Sequence, residues 1–208
     1  MLKILICFLF LSFLCGCTET KQVSNFKQTA SVHKTVALLP SNPFFLLSDE
    51  ERKKIGQENI NESEQKLSFM VQQNMSKWFM KSQMKYKVSI QDIKVTNNLL
   101  FQSGMNFMQF KLLPKDEIAK KLHVDIVVFC NVILSKKYTD IEYEIASFVG
   151  LPLGSNFRVV LEAGVVDKTS SKILWQKNYM PTGKNHEDIF RILERMIKTA
   201  AADFPYKK

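Results

Sequence analysis

The side chains of this 208-residue sequence that could do chemistry are four cysteines, three histidines and a few closely spaced carboxylates. A zinc site needs histidines or cysteines at helical or hairpin spacing. His33, His123 and His186 have no such partners, and the Asn185-His186-Glu187-Asp188 run is not the HExxH pattern. A serine nucleophile would show GxSxG and a phosphate cradle would show GxxxxGK[ST]; the chain contains neither. Glu142 and Glu144 share one strand face, the placement of paired hydrolase carboxylates. Nothing apolar flanks them there to raise a pKa, so they read as the wet face of an outer strand. The sequence therefore predicts no catalytic residue, no metal and no cofactor, and a protein that is not an enzyme.

The cysteines are more informative. Cys7, Cys15 and Cys17 lie in the first seventeen residues, and Cys130 lies far downstream. Met1-Leu2-Lys3 followed by an apolar run from Ile4 to Leu14 is a secretory signal, too short for a span, which needs roughly 20 apolar residues. It ends in Leu14-Cys15-Gly16-Cys17, which resembles the bacterial lipobox: Leu three places before the cysteine, then small residues. Cleavage after Gly16 would leave Cys17 as the mature N-terminus, thioether-linked to diacylglycerol. Several acyl chains hold a protein firmly where one does not. Thr18, rather than Asp, follows the cysteine, which under the enterobacterial sorting rule implies the outer membrane, facing the periplasm. Cys130 sits in the apolar run "DIVVFCNVIL" and reads as a small buried hydrophobe.

Around these residues the sequence predicts three parts: a signal peptide over 1–16, the lipidated cysteine with a flexible polar tether over 17–33, and one periplasmic α/β domain over 34–208. The chain is 46% hydrophobic, enough for a single core. Its net charge of +9 is carried by scattered lysines. Export argues against a nucleic-acid partner. A solvated surface is the plain reading, and contact with anionic lipid or cell-wall polymer the sharper one.

"KTVALLP" reads as a buried strand closed by Pro40. Ser48 with Glu51 forms a capping box for a helix over Asp49–Ile55 that Gly56 ends. Asn61 with Glu64 repeats the signal, ahead of an amphipathic stripe of Leu67, Met70, Val71, Met75, Trp78 and Phe79. "YKVSIQDI" follows as a strand. Residues 95–113 fit either a strand, from the alternation of Met108, Phe110 and Leu112, or helical turns. Pro114 opens a helix through Leu122. "VDIVVFCNVIL" is a central strand, apolar on both faces, and "TDIEYEIASF" alternates with period two. "NFRVVLEAGVVD" and "KILWQKNY" form a hairpin about Lys168–Ser171, with Trp175 in the core. Asn185 caps a last helix striped by Ile189, Ile192, Leu193, Met196, Ile197, Ala200 and Phe204. The predicted order is β-α-β-α-β-β-β-β-α, a mixed sheet covered by helices in an α/β sandwich.

Four segments carry a resemblance. "KTVALLP" is similar to the opening "VAVLP" strand of the curli-secretion-channel superfamily, and "AKKLHVDIVVFCNVI" to its "A..LGADAVVTGTV" segment. "VVLEAGVVDKTSSKILW" resembles "V.V.LVDA.TGE.LW", and "AAADFP" resembles the ending of small lipoproteins of the group. These segments run in order from Lys34 to Pro205. Relatives in that superfamily include the curli channel lipoprotein, the Pel polysaccharide export lipoprotein, a lipoprotein activator of a peptidoglycan synthase, and the N-terminal domain of the Tol translocation protein. The resemblance implies an anticodon-binding-like α/β fold and a non-enzymatic role in which Asp167 and Trp175 are architectural. Ser171 stands where the family turn has glycine, and His123 where glycine precedes "AD". The expected function is an outer-membrane-anchored assembly or docking component of an envelope secretion or polymer-export system. It would touch the membrane through its N-terminal lipid and associate with itself or with envelope proteins. The alternative is a regulatory module that activates a peptidoglycan synthase.

Overall fold

A computed structural model describes residues 20–104, 106–136, 157–181 and 188–208. The lipobox residues Gly16 and Cys17, the carboxylates Glu142 and Glu144, and Asn185 and His186 lie outside the described residues. The elements are β1 (Thr20–Gln22), α1 (Phe26–Ala30), β2 (Thr35–Leu38), β3 (Asn42–Leu46), α2 (Asp49–Ile55), α3 (Gln57–Lys81), β4 (Ser89–Ile90), α4 (Ile93–Gln102), α5 (Phe107–Leu112), α6 (Lys115–Lys121), β5 (Ile126–Lys136), β6 (Phe157–Asp167), β7 (Ile173–Tyr179) and α7 (Ile189–Asp203). The strands form one mixed sheet in the order β1-β7-β6-β5-β2-β4, with β3 continuing beside β5 beyond the end of β2. β2 and β3 run parallel to β5, while β6, β7 and β1 add as antiparallel neighbours. The expected α/β sandwich is what the chain forms.

Side-chain alternation along β5 explains the layers. Ile126, Val128, Cys130, Val132 and Leu134 face α3 and α7, joined by Val159, Leu161, Ala163 and Val165 of β6. Val127 and Phe129 face the other way, onto Leu100, Phe110, Ile118 and Leu122 from α4–α6 and the end of α6. Among the described residues, helices cover this second face at one end only. Beyond it the same face turns polar, and Glu162 accepts hydrogen bonds from both Asn131 and Gln176 across three strands. On α3, Ile60, Leu67, Val71, Met75 and Phe79 form the buried stripe, and on α7 Ile189, Leu193, Met196, Ile197 and Ala200 do. Trp175 and Phe204 are buried among them. Among the described residues no helix is long and apolar enough to cross a membrane.

Several expectations are corrected. The segment expected to be a tether is folded from Thr20 onward: β1 pairs with β7 and Phe26 is buried in the main core. Its polar composition hid a single aromatic anchor and three residues of edge strand. Asn61 does not cap α3; the cap lies five residues earlier, because Gly56 at φ 84° both closes α2 and turns the chain into α3. Of the two alternatives open for residues 95–113, helical turns are what form: two helices, started by Asp92 and by an Asn106–Gln109 capping box. The described N-cap of α7 is Asp188, whose carboxylate accepts from the Phe190 N–H. The capping box at Ser48 and Glu51 forms as expected. β3 carries Pro43, which it tolerates as a strand that, among the described residues, pairs along one edge only.

Candidate functional site

His33, expected in the tether without partners, is held in a buried polar cluster. Its Nε2 lies 3.0 Å from Asp167 Oδ1 and its Nδ1 lies 2.7 Å from the Tyr206 hydroxyl. The order Asp–His–hydroxyl has the outline of a relay. With His33 8%, Asp167 4% and Tyr206 2% exposed, however, no substrate reaches it. What the cluster does is join the N-terminal segment, the β6–β7 turn and the C-terminus. Burial pushes the Tyr206 pKa up, with the Asp167 and Asp125 charges adding to it. Burial works to raise the Asp167 pKa too, but hydrogen bonds from Ser170 and the nearby His33 hold it below 3.8. Beside it, Asp125 accepts from the Lys34 and Thr35 N–H groups at 2.8 and 3.0 Å. Among the described residues no group of three His, Cys, Asp or Glu side chains could hold a metal ion. Cys130 is buried, and desolvation followed by the Glu162 charge pushes its thiol up to about 12, so it behaves as a hydrophobe. His123 lies at a helix end with φ 55°, a backbone role.

The feature that faces solvent with intent lies where the sequence was ambiguous. A groove of about 550 Å³ runs between α3 on one wall and α4 and α5 on the other, with Pro40 at its base. Phe69, Phe107 and Phe110 form its floor, and Phe101 stands at the rim, 81% exposed. Five carboxamides ring it: Asn61, Gln65, Asn97, Asn98 and Asn106. Among the described residues no charged side chain lines it, in a chain that is 24% charged.

Two polar locks hold the walls apart at a fixed spacing. Gln72, fully buried on α3, and Asn97 of α4 exchange side-chain amide hydrogen bonds at 2.9 Å each, and Gln72 also donates to the Leu38 carbonyl at 2.8 Å. At the α5 wall, Lys111 makes a nearly buried ion pair with Glu64 of α3 at 2.6 Å, its ammonium also lying over the rings of Phe44 and Phe107. Buried polar groups left unpaired are costly, so each lock resists opening of the groove. The sequence signal for this site was faint: the Asn97-Asn98 pair beside the Leu99-Leu100-Phe101 cluster, more apolar surface than one short helix can bury.

The sequence matches no protein-family model and no curated protein. Solved structures of similar outline include a subunit of the PelC dodecamer from Paraburkholderia phytofirmans, 10% identical over 93% of this chain and 100% of that one at a TM-score of 0.45. Lipoprotein GNA1162 from Neisseria meningitidis is 12% identical over 82% of this chain and 98% of that one, with a TM-score of 0.46. The LpoB C-terminal domain from Salmonella enterica is 7% identical over 76% of this chain and 93% of that one, with a TM-score of 0.37.

Proposed function

We propose that this chain is a lipid-anchored envelope protein without catalytic activity, acylated at Cys17 and facing the periplasm from the outer membrane, whose folded domain docks one helix of another envelope protein. The observation that carries the docking role is the uncharged, aromatic-floored groove. Asn61, Gln65 and Phe69 are spaced four apart along α3, so the wall is about 12 Å long at 1.5 Å per residue. That length matches two turns of a helix presenting apolar anchors at i, i+4 and i+7. Neutral walls in a protein of net charge +9 select an apolar face rather than a charged one. Of the rim carboxamides, Gln65 and Asn98, which make no side-chain hydrogen bond among the described residues, meet the polar edges of that helix. The Leu14–Cys17 motif supports the anchor, and an assembly role in secretion or polymer export is the reading that the family resemblance favours.

The test is a photo-crosslinking residue at position 101 in the full-length protein in its own cell. The expected result is a discrete adduct whose crosslinked peptide maps to an amphipathic helix of a second envelope protein. Phe101→Asp should weaken capture of that protein by about 30-fold or more, the loss typical of a hot-spot side chain. Adducts confined to lipid, or mapping to a second copy of this chain, would overturn the assignment.

A further inference from the structure

A second concavity, of about 640 Å³, lies at the opposite end of the sheet, where the described chain begins. It is bounded by β1 and β7, by α1, and by the C-terminal segment after α7. Thr20 and Gln22 of β1 face the same side as their register partners Lys177 and Trp175 on β7. The tail closes the far wall: the Lys87 N–H donates to the Tyr206 carbonyl at 2.8 Å and the Lys208 N–H to the Lys85 carbonyl at 2.9 Å. Four lysines line the cleft: Lys27, Lys87, Lys177 and Lys207. The one acid among its lining residues, Asp203, is occupied by Lys177 at 2.8 Å and by the Tyr179 hydroxyl at 3.3 Å. Lys27, Lys87 and Lys207 are exposed and make no ion pair among the described residues. Three exposed lysines without an ion pair among the described residues thus line one opening, against a single acid that Lys177 already occupies.

Position says which anion meets them. Thr20 is three residues from Cys17, so this end of the domain lies within about 11 Å of the lipidated residue. We propose that the cleft holds the phosphate of an anionic phospholipid headgroup in the leaflet that the Cys17 acyl chains enter. This rests on the acylation part of the function proposed above, and not on the groove. An acyl anchor and a basic patch are two signals that together fix a protein on a membrane, and lysines near an anionic surface each add attraction that salt screens. The cleft would also set which face of the domain meets the lipid, turning the groove end away from it.

The experiment uses the mature acylated protein reconstituted in vesicles and a membrane-impermeant amine reagent, read lysine by lysine by mass spectrometry. With phosphatidylglycerol present, labelling of Lys27, Lys87 and Lys207 should fall several-fold relative to Lys120, and the protection should fade at high salt. K27Q/K207Q should restore labelling of Lys87. Equal protection in pure phosphatidylcholine would mean that the anchor alone orients the domain, and would overturn the headgroup site. Equal protection by inorganic phosphate in detergent would also overturn it, making the ligand a free anion. Radiolabelled-palmitate incorporation into the same preparation reports the acylation separately, so failure of the anchor and failure of the cleft are told apart.

Discussion

Among the described residues, two backbone positions carry a side chain where glycine is the natural choice: His123 at φ 55° and Ser171 at φ 57°. The left-handed region costs an L-residue about 1–2 kcal/mol, part of which a glycine returns through its freer unfolded chain. His123→Gly and Ser171→Gly should each stabilise the fold by about 0.5–1 kcal/mol, raising Tm by about 1–4 °C in calorimetry. Ser171, which stands where the family turn has glycine, adopts the left-handed geometry, its N–H donating to the Asp167 carbonyl at 3.1 Å. Gly164 is the converse case. A Cβ there would collide with the Phe129 ring packed across it from β5 and stand 3.1 Å from the Trp175 carbonyl. Gly164→Ala should therefore lower the midpoint of urea unfolding, whereas Gly104→Ala, with open space around it, should cost only the strain of its positive φ. At Cys17, the Cys17→Ser variant should accumulate as uncleaved precursor without palmitate, while Cys15→Ala should process normally.

At the scale of elements, the β6–β7 hairpin is the unit on which the core is assembled. Trp175 is 4% exposed on it, in the same core cluster as the α7 stripe. Trp175→Ala should cost about 3–5 kcal/mol, and a thermal melt matching the parent would refute its core placement. This hairpin, β5 and the stripe of α7 were legible in the sequence because strong period-two and helical patterns coincide with burial. What was not legible follows one physical rule: elements that are short, or whose partners lie far along the chain, leave no local pattern. β1 is three exposed residues that exist only by pairing with β7. β3 holds Pro43 and pairs, among the described residues, with β5 alone, far along the chain. The segment 95–113 had the alternation of a strand, but its two N-caps, Asp92 and Asn106, decide for helices. The groove that those helices wall was hidden for the same reason, since Gln72–Asn97 and Glu64–Lys111 join residues 25 and 47 apart.

For the whole molecule, acidity should be the condition that loosens the base of the sheet. Burial works to raise the pKa values of Asp125 and Asp167, but hydrogen bonds, with the Lys168 charge for Asp125 and His33 for Asp167, hold both below their ordinary 3.8. A carboxylate depressed in the folded state contributes stability above its unfolded pKa and loses it as pH falls through the folded value. Tm should thus hold from neutral pH to about 5 and fall below about 4. Asp125→Asn should lower stability at neutral pH and flatten the acid limb. A Tm that rises on acidification would contradict the assignment.

The docked N-terminal segment has a mechanical meaning. If Cys17 is fixed in a bilayer, any force on the domain enters through Thr20, and β1 is attached to β7 by three residues at the outer edge of the sheet. It would open rung by rung, then Phe26 would leave its socket, and slippage would halt at His33, clasped by Asp167 and Tyr206. A leash of about 10 Å would lengthen to about 50 Å while the remaining sheet stays folded. Pulled from Cys17 in optical tweezers, the protein should give a small low-force extension before the main rupture, and His33→Ala should remove the stop between them. The protein would be anchored through a shock absorber, able to follow a displaced partner outward and rewind when the load is gone.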